Sequence, residues 1–292
     1  MKSYENAIHS YNRVANIYRA EKWPVLLKSV LLSLINSARK GNQQKILVST
    51  LLEILSQQLK PDLEEDLYGL FKELFEMIYQ VDPIPSSLQR EVIMIETNQM
   101  PSFLESFAQI YQSQVVVSDP VRFQISVHPA LLLSFPFTFT PARILVEFSN
   151  SKYNFAILHD ENASQTIKTI NALDIPNAKK VSFCRLTSGK VKTIPKRDNP
   201  AENHDILTYV ANLSFSSDTA SVYECDFTPD APEEISLKNV ACIFESSSWT
   251  IGLIFPKERL SRYFDQQWWF SSSDANHHFI HLERNLQPTN IR

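Results

Sequence analysis

The sequence predicts an α+β protein. N-terminal α-helical hairpins, a tetratricopeptide-like fragment of an α-solenoid, are followed by an antiparallel immunoglobulin-like β-sandwich. Three observations lead there. Apolar residues recur with a helical period up to about residue 79, the period switches to two beyond residue 113, and the alternating runs that follow have no helical crossovers between them.

The helices come first. Ala7, Ile8, Tyr11, Val14, Ala15 and Tyr18 fall on one helical face, and Leu26, Leu27, Val30, Leu31, Leu34, Ile35 and Ala38 on the next. Trp23 and Pro24 break the two apart, with the proline suited to a first turn, and Gly41 and Asn42 end the second. Ile46, Leu47, Leu51, Ile54, Leu55 and Leu59 make a third stripe. Leu63, Leu67, Leu70, Phe71, Leu74, Phe75 and Ile78 make a fourth, with Asp62 and Glu65 placed as a cap. Four stripes give two hairpins. Hairpins of this kind bury a continuous core only between neighbours, so the first one is expected to pack against a preceding repeat or a partner. Short helices are expected at 88–95 and 102–111, the second opened by Ser102 and Glu105 as a capping box.

The strands follow. In VRFQISV, Val121, Phe123, Ile125 and Val127 face one way and Arg122, Gln124 and Ser126 the other. Comparable runs lie at 143–148, 154–158, 181–186, 207–215, 222–227, 240–244 and 249–255. Eleven of the sixteen prolines lie beyond residue 113, which suits strand ends better than helix interiors and sets the boundary there. The expected division is therefore 1–112 helical, 113–260 sandwich with a loop-rich insertion at 160–206, and 261–292 an aromatic linker toward a further domain.

Composition narrows function mainly by exclusion. The 28 basic and 32 acidic residues leave a net charge of -4, which supplies no field for attracting nucleic acid, and no nucleic-acid partner is expected. Only four glycines occur, at 41, 69, 189 and 252, so no phosphate-cradling loop is present and no cofactor is expected. Cys184, Cys225 and Cys242 sit in apolar alternating segments and read as reduced core residues of a cytoplasmic protein. No run approaches the roughly 18 apolar residues of a spanning helix, so a membrane contact is expected to be peripheral.

Candidate chemistry is sparse. His277, His278 and His281, with Asp274 nearby, resemble a ligand cluster, but the flanking FIHL reads as a strand and a zincin glutamate is missing, so no metal site is expected. The serine-rich stretches lack a nucleophile elbow, and Glu64, Glu65 and Asp66 serve a helix start; no catalytic residue is expected. Two surfaces remain. Lys179, Lys180, Arg185, Lys190, Lys192, Lys196 and Arg197 form a basic stretch with no acid between them, suited to anionic lipid or to a solvated loop. Tyr263, Phe264, Trp268, Trp269 and Phe270 form the densest aromatic cluster and suit a partner or interdomain contact, since exposing five such rings is costly.

Three segments resemble one family. VSDPVRFQISVHPALLLSFPFTFTPARILVEFSNSKYNFAIL (117–158) and ISLKNVACIFESSSWTIGLIF (235–255) resemble the gryzun region of the foie-gras/gryzun subunit of the TRAPP (trafficking protein particle) tethering complex. AIHSYNRVANIYRAEKWPVLLKSVLLSLINSARKGN (7–42) is similar to helices of its foie gras region. The resemblance implies a non-catalytic scaffold in vesicle transport between endoplasmic reticulum and Golgi, and in autophagy. It implies other TRAPP subunits as partners, a Rab GTPase indirectly, and a cytoplasmic location peripheral to Golgi or intermediate membranes. The chain then reads as part of a longer subunit. A free-standing sandwich adaptor, binding a peptide or membrane like a coat appendage or arrestin, is the alternative.

Overall fold

A computed structural model of the chain describes residues 2–56, 64–79, 91–98, 102–110, 114–129, 138–169, 178–197, 199, 202–232, 234–246, 249–260, 267–270, 279–282 and 289–291. Four helices open it: α1 (Lys2–Ala20), α2 (Pro24–Lys40), α3 (Gln44–Ser56) and α4 (Glu64–Tyr79). They follow the four expected stripes, with Ile8 and Ala15 of α1 and Leu27, Leu31, Leu34 and Ile35 of α2 buried, but Leu26, expected on the α2 stripe, is exposed, and Leu59 and Leu63 lie outside the described residues. Asp62 of the expected α4 cap lies outside the described residues.

The first two helices end alike. Lys22 (φ 58°) and Asn42 (φ 51°) both turn into the left-handed region, and the following amides of Trp23 and Gln43 donate back to Tyr18 O at 3.0 Å and Ala38 O at 2.9 Å. These reversals satisfy carbonyls that a helix end leaves orphaned, and they fold each helix back on the last.

The strands are β1 (Glu91–Glu96), β2 (Leu104–Ile110), β3 (Gln114–Val115), β4 (Val121–Pro129), β5 (Arg143–Phe148), β6 (Phe155–His159), β7 (Thr166–Thr169), β8 (Lys180–Arg185) and β9 (Lys190–Pro195). They continue with β10 (Asn203–Ala211), β11 (Thr219–Phe227), β12 (Glu234–Ile235), β13 (Leu237–Glu245), β14 (Trp249–Pro256), β15 (Gln267–Phe270), β16 (Phe279–Leu282) and β17 (Thr289–Ile291). Between β14 and β15 a single helical turn, α5 (Lys257–Leu260), packs against β2, β13 and β14.

Two sheets form the sandwich, a seven-stranded one in the order β1-β14-β13-β5-β6-β10-β9 and a five-stranded one in the order β2-β4-β11-β8-β7. Their inner faces meet through aromatic side chains: Phe123 of β4 lies 5.3 Å from Phe148 of β5 and 5.9 Å from Phe155 of β6, ring centre to ring centre. The α+β architecture is the expected one. The sheets, however, are mixed, because β1 runs parallel to β14, β10 to β6 and β11 to β8. Parallel neighbours need long connections, and alternation within a strand carries no information about its partner's direction.

Two expected helices are strands. Residues 91–96 form β1, where pairing with β14 buries Ile93 and Ile95, and residues 104–110 form β2 against β4. The Ser102 and Glu105 pair caps nothing: Ser102 Oγ accepts the Leu104 amide at 3.2 Å, and Glu105 meets His128 across the ladder at 3.1 Å. Short apolar runs of this length fit either period, and a cross-strand partner decided the outcome.

The loop-rich insertion at 160–206 is also corrected. Its residues build β7, β8, β9 and the start of β10, which are regular members of both sheets. The β9–β10 hairpin extends past β6 and bends back over the outer face of the larger sheet, where Arg197 reaches Glu147 of β5 and Asn239 of β13. Ile194 and Ile206 thereby cover Leu145, Ala156, Ala241 and Ile243, a small second core outside the sandwich.

Candidate interaction surfaces

The helices and the sandwich share one continuous core. The joint between them is aromatic. Phe71 and Phe75, one turn apart on α4, stand 6.4 Å and 6.0 Å from Phe139, which in turn lies 4.7 Å from Phe103 and 6.4 Å from Phe244 of β13. Phe139 is held by backbone bonds in both directions with Phe215, at 2.9 Å and 2.7 Å. One turn further along α4, the Tyr79 hydroxyl accepts the Thr140 amide at 2.7 Å, and burial pushes the phenol up to about 12. Fixing a buried ring is worth roughly 1.5 to 3 kcal/mol, so this cluster welds the two parts. The signal for it was the spacing of Phe71, Phe75 and Tyr79, which marks one face of a helix.

The basic stretch is dispersed by the fold. Lys180 meets Asp218 at 3.3 Å, and Arg185 on β8 bridges Glu224 and Asp226 of β11. Lys196 binds Glu202 at 2.7 Å and holds that carboxyl below its ordinary range, while Arg197 binds Glu147 at 3.0 Å. These two pairs line an open cleft of 430 Å³ beneath the β9–β10 hairpin, together with Leu145, Asn154, Asn199, His204 and Ile206. Acid and base balance there, so the cleft fastens the hairpin and presents no net charge to an anion. Among the described residues, no ion pair engages Lys179, Lys190 or Lys192.

Only part of the aromatic cluster falls within the described residues. Trp268, Trp269 and Phe270 belong to β15, and His281 stands opposite Trp268 on β16, so FIHL is a strand as expected. Tyr263, Phe264, His277, His278 and Asp274 lie outside the described residues. The three cysteines line the sandwich core as free thiols.

A surface that the sequence reading did not single out lies where α1 meets α2. Ile17, Trp23, Val25 and Leu26 are all exposed there, with Tyr18 packed on the Trp23 ring at 5.7 Å. Large apolar side chains gathered at one end of a helical stack are the usual mark of a contact with another element. Among the described residues, no helix is long and apolar enough to cross a membrane.

Comparison with known families places a match over this end of the chain. The model of Foie gras liver health family 1 matches residues 1–57, which cover α1, α2 and α3. It supports the foie-gras/gryzun resemblance read from the sequence. No curated protein matches the chain.

Proposed function

We propose, from that family match, that the chain is a non-catalytic scaffold segment of a TRAPP-type vesicle-tethering complex. Its partners in this reading are other TRAPP subunits, with a Rab GTPase reached only through them. The site of action is the cytoplasmic surface of Golgi or intermediate membranes, in transport from endoplasmic reticulum to Golgi and in autophagy. The observation that carries the reading is the Foie gras match over residues 1–57.

The physical case is architectural. A helical stack whose exposed end carries Ile17, Trp23, Val25 and Leu26 offers an apolar docking face, and burying such side chains supplies the bulk of a stable protein contact. The aromatic cluster around Phe139 then ties that face to the sandwich, so the two parts extend an assembly as one body.

Affinity purification of the chain at physiological salt tests the proposal. Co-recovery of TRAPP subunits is expected, and the double substitution Trp23→Glu and Val25→Glu should abolish it while leaving the thermal melt unchanged. Recovery of the chain without any TRAPP subunit sinks the reading.

A further inference from the structure

We propose that the free edge of β9 accepts an acidic, extended peptide as an added strand. The inference goes beyond the scaffold reading and stands without it. β9 is the last strand of the seven-stranded sheet, so one side of its backbone has no strand partner among the described residues. An edge of this kind is a template for another chain. Val191, at its centre, is 71% exposed.

The strand is also held ready. Gly189, just before it, lies so close to β10 that a Cβ there would stand 2.8 Å from the Tyr209 ring and 2.9 Å from Leu207. Six residue pairs with β10, from Lys190 opposite Thr208 to Pro195 opposite Asn203, fix its register. A strand already in place loses little freedom on binding.

Charge selects the occupant. Lys180, Arg185, Lys196 and Arg197 are each satisfied by a carboxylate of the chain itself. Lys190 and Lys192 are exposed and share one face of β9, with Val191 on the other. A partner strand bearing acids at alternate positions meets both lysines, and the apolar residues between the acids meet Val191. The same two charges repel a second copy of this edge, which keeps it from pairing with itself.

A lipid surface is the competing occupant, and it fits less well. Each basic residue near an anionic bilayer adds roughly a fivefold gain, and recognised lipid-binding clusters hold about four to eight of them. Two lysines on one strand face fall short of that. They suffice to choose among peptides whose backbone pairing supplies the rest.

The test uses the full chain and a fluorescent peptide of alternating glutamate and valine, titrated by anisotropy. Saturable binding is expected, weakened about tenfold by K190E/K192E and unchanged by K179E. A peptide of alternating lysine and valine should not bind. Hydrogen exchange provides the second measurement, with slower exchange of β9 amides expected when the acidic peptide is present. Thermal melts of the variants confirm that these exposed substitutions leave the fold intact. Absence of binding overturns the proposal, as does equal binding by K190E/K192E or equal loss in K179E. So does capture of phosphatidylserine vesicles through Lys190 and Lys192 with no peptide-dependent change in β9 exchange.

Discussion

Arg19 at the end of α1 grips Glu53 of α3 with two parallel hydrogen bonds of 2.6 Å, and Arg39 at the end of α2 grips Glu73 of α4 in the same way. Both pairs are separated by 34 residues. In both, an asparagine one turn earlier, Asn16 or Asn36, accepts a further bond from the arginine. Each arginine thus clamps its own helix to the helix after next. The Glu53 side chain is only 8% exposed, against 26% for Glu73, so the first clamp is the better shielded from water.

That difference is measurable. A double-mutant cycle on Arg19 and Glu53 should return a coupling of about 1 to 2 kcal/mol, and the same cycle on Arg39 and Glu73 about half as much. Urea unfolding of the single and double alanine variants gives both numbers. Equal couplings would show that burial of Glu53 contributes nothing.

The joint around Phe139 makes a second prediction. Tyr79→Phe removes the acceptor for the Thr140 amide and should cost about 1 to 2 kcal/mol. Phe139→Ala opens a cavity among Phe71, Phe75 and Phe103 and should cost about 3 to 5 kcal/mol. Because the cavity lies between helices and sheets, calorimetry of Phe139→Ala should resolve two transitions where the parent chain shows one. A single shifted transition would mean the two parts remain coupled through other contacts.

Arg143 is a charge buried on the outer face of the larger sheet, 4% exposed, paired with Glu245 and donating to Pro195 O at 3.4 Å. Glu245→Leu removes its carboxylate and should cost about 3 kcal/mol. Combining Glu245→Leu with Arg143→Met removes both charges and should recover most of that loss, since a buried pair is often replaceable by apolar residues of similar volume. Denaturant midpoints of the two variants decide between these outcomes. No recovery in the double variant would show that Arg143 acts through Pro195 instead.

Alkali should weaken the fold through its thiols. Burial pushes Cys242 up to about 12 and raises Cys184 and Cys225 as well. In the unfolded chain these groups ionise near 8.5, so above that pH the unfolded state loses protons that the native state keeps. Their contribution is complete below about 8.5 and is lost as pH rises toward about 12. Stability measured at about pH 10 should fall below its neutral value, with a shallower slope in Cys242→Ala. A thiol reagent should label the native chain only at the rate of unfolding.

The sequence was most readable where burial follows a strict period. The α2 stripe from Leu27 to Ala38 and the β4 alternation from Val121 to Val127 both face the core as the pattern requires. It was least readable at EVIMIE and LESFAQI, whose strand state rests on β14 and β4, far along the chain. The basic stretch looked uncompensated because most of its carboxylates come from distant segments, Glu147 from β5, Asp218 from the turn before β11, and Glu224 and Asp226 from β11, while Glu202 lies just past the stretch in the turn of the β9–β10 hairpin. The repeated asparagine and arginine spacing at 16 and 19, then 36 and 39, is visible along the chain but is not by itself the sign of a clamp. The glutamate partners were not legible, because no local pattern links residues 34 apart.

The aromatic weld at Phe139 has a mechanical meaning. Two parts joined by a bare linker would swing independently, and a grip at one end would tell the other end nothing. With Phe139 inserted between α4 and β13, the tip at Trp23 and the strand at Val191 belong to one strut, and a load taken at either is carried through packed rings to the other.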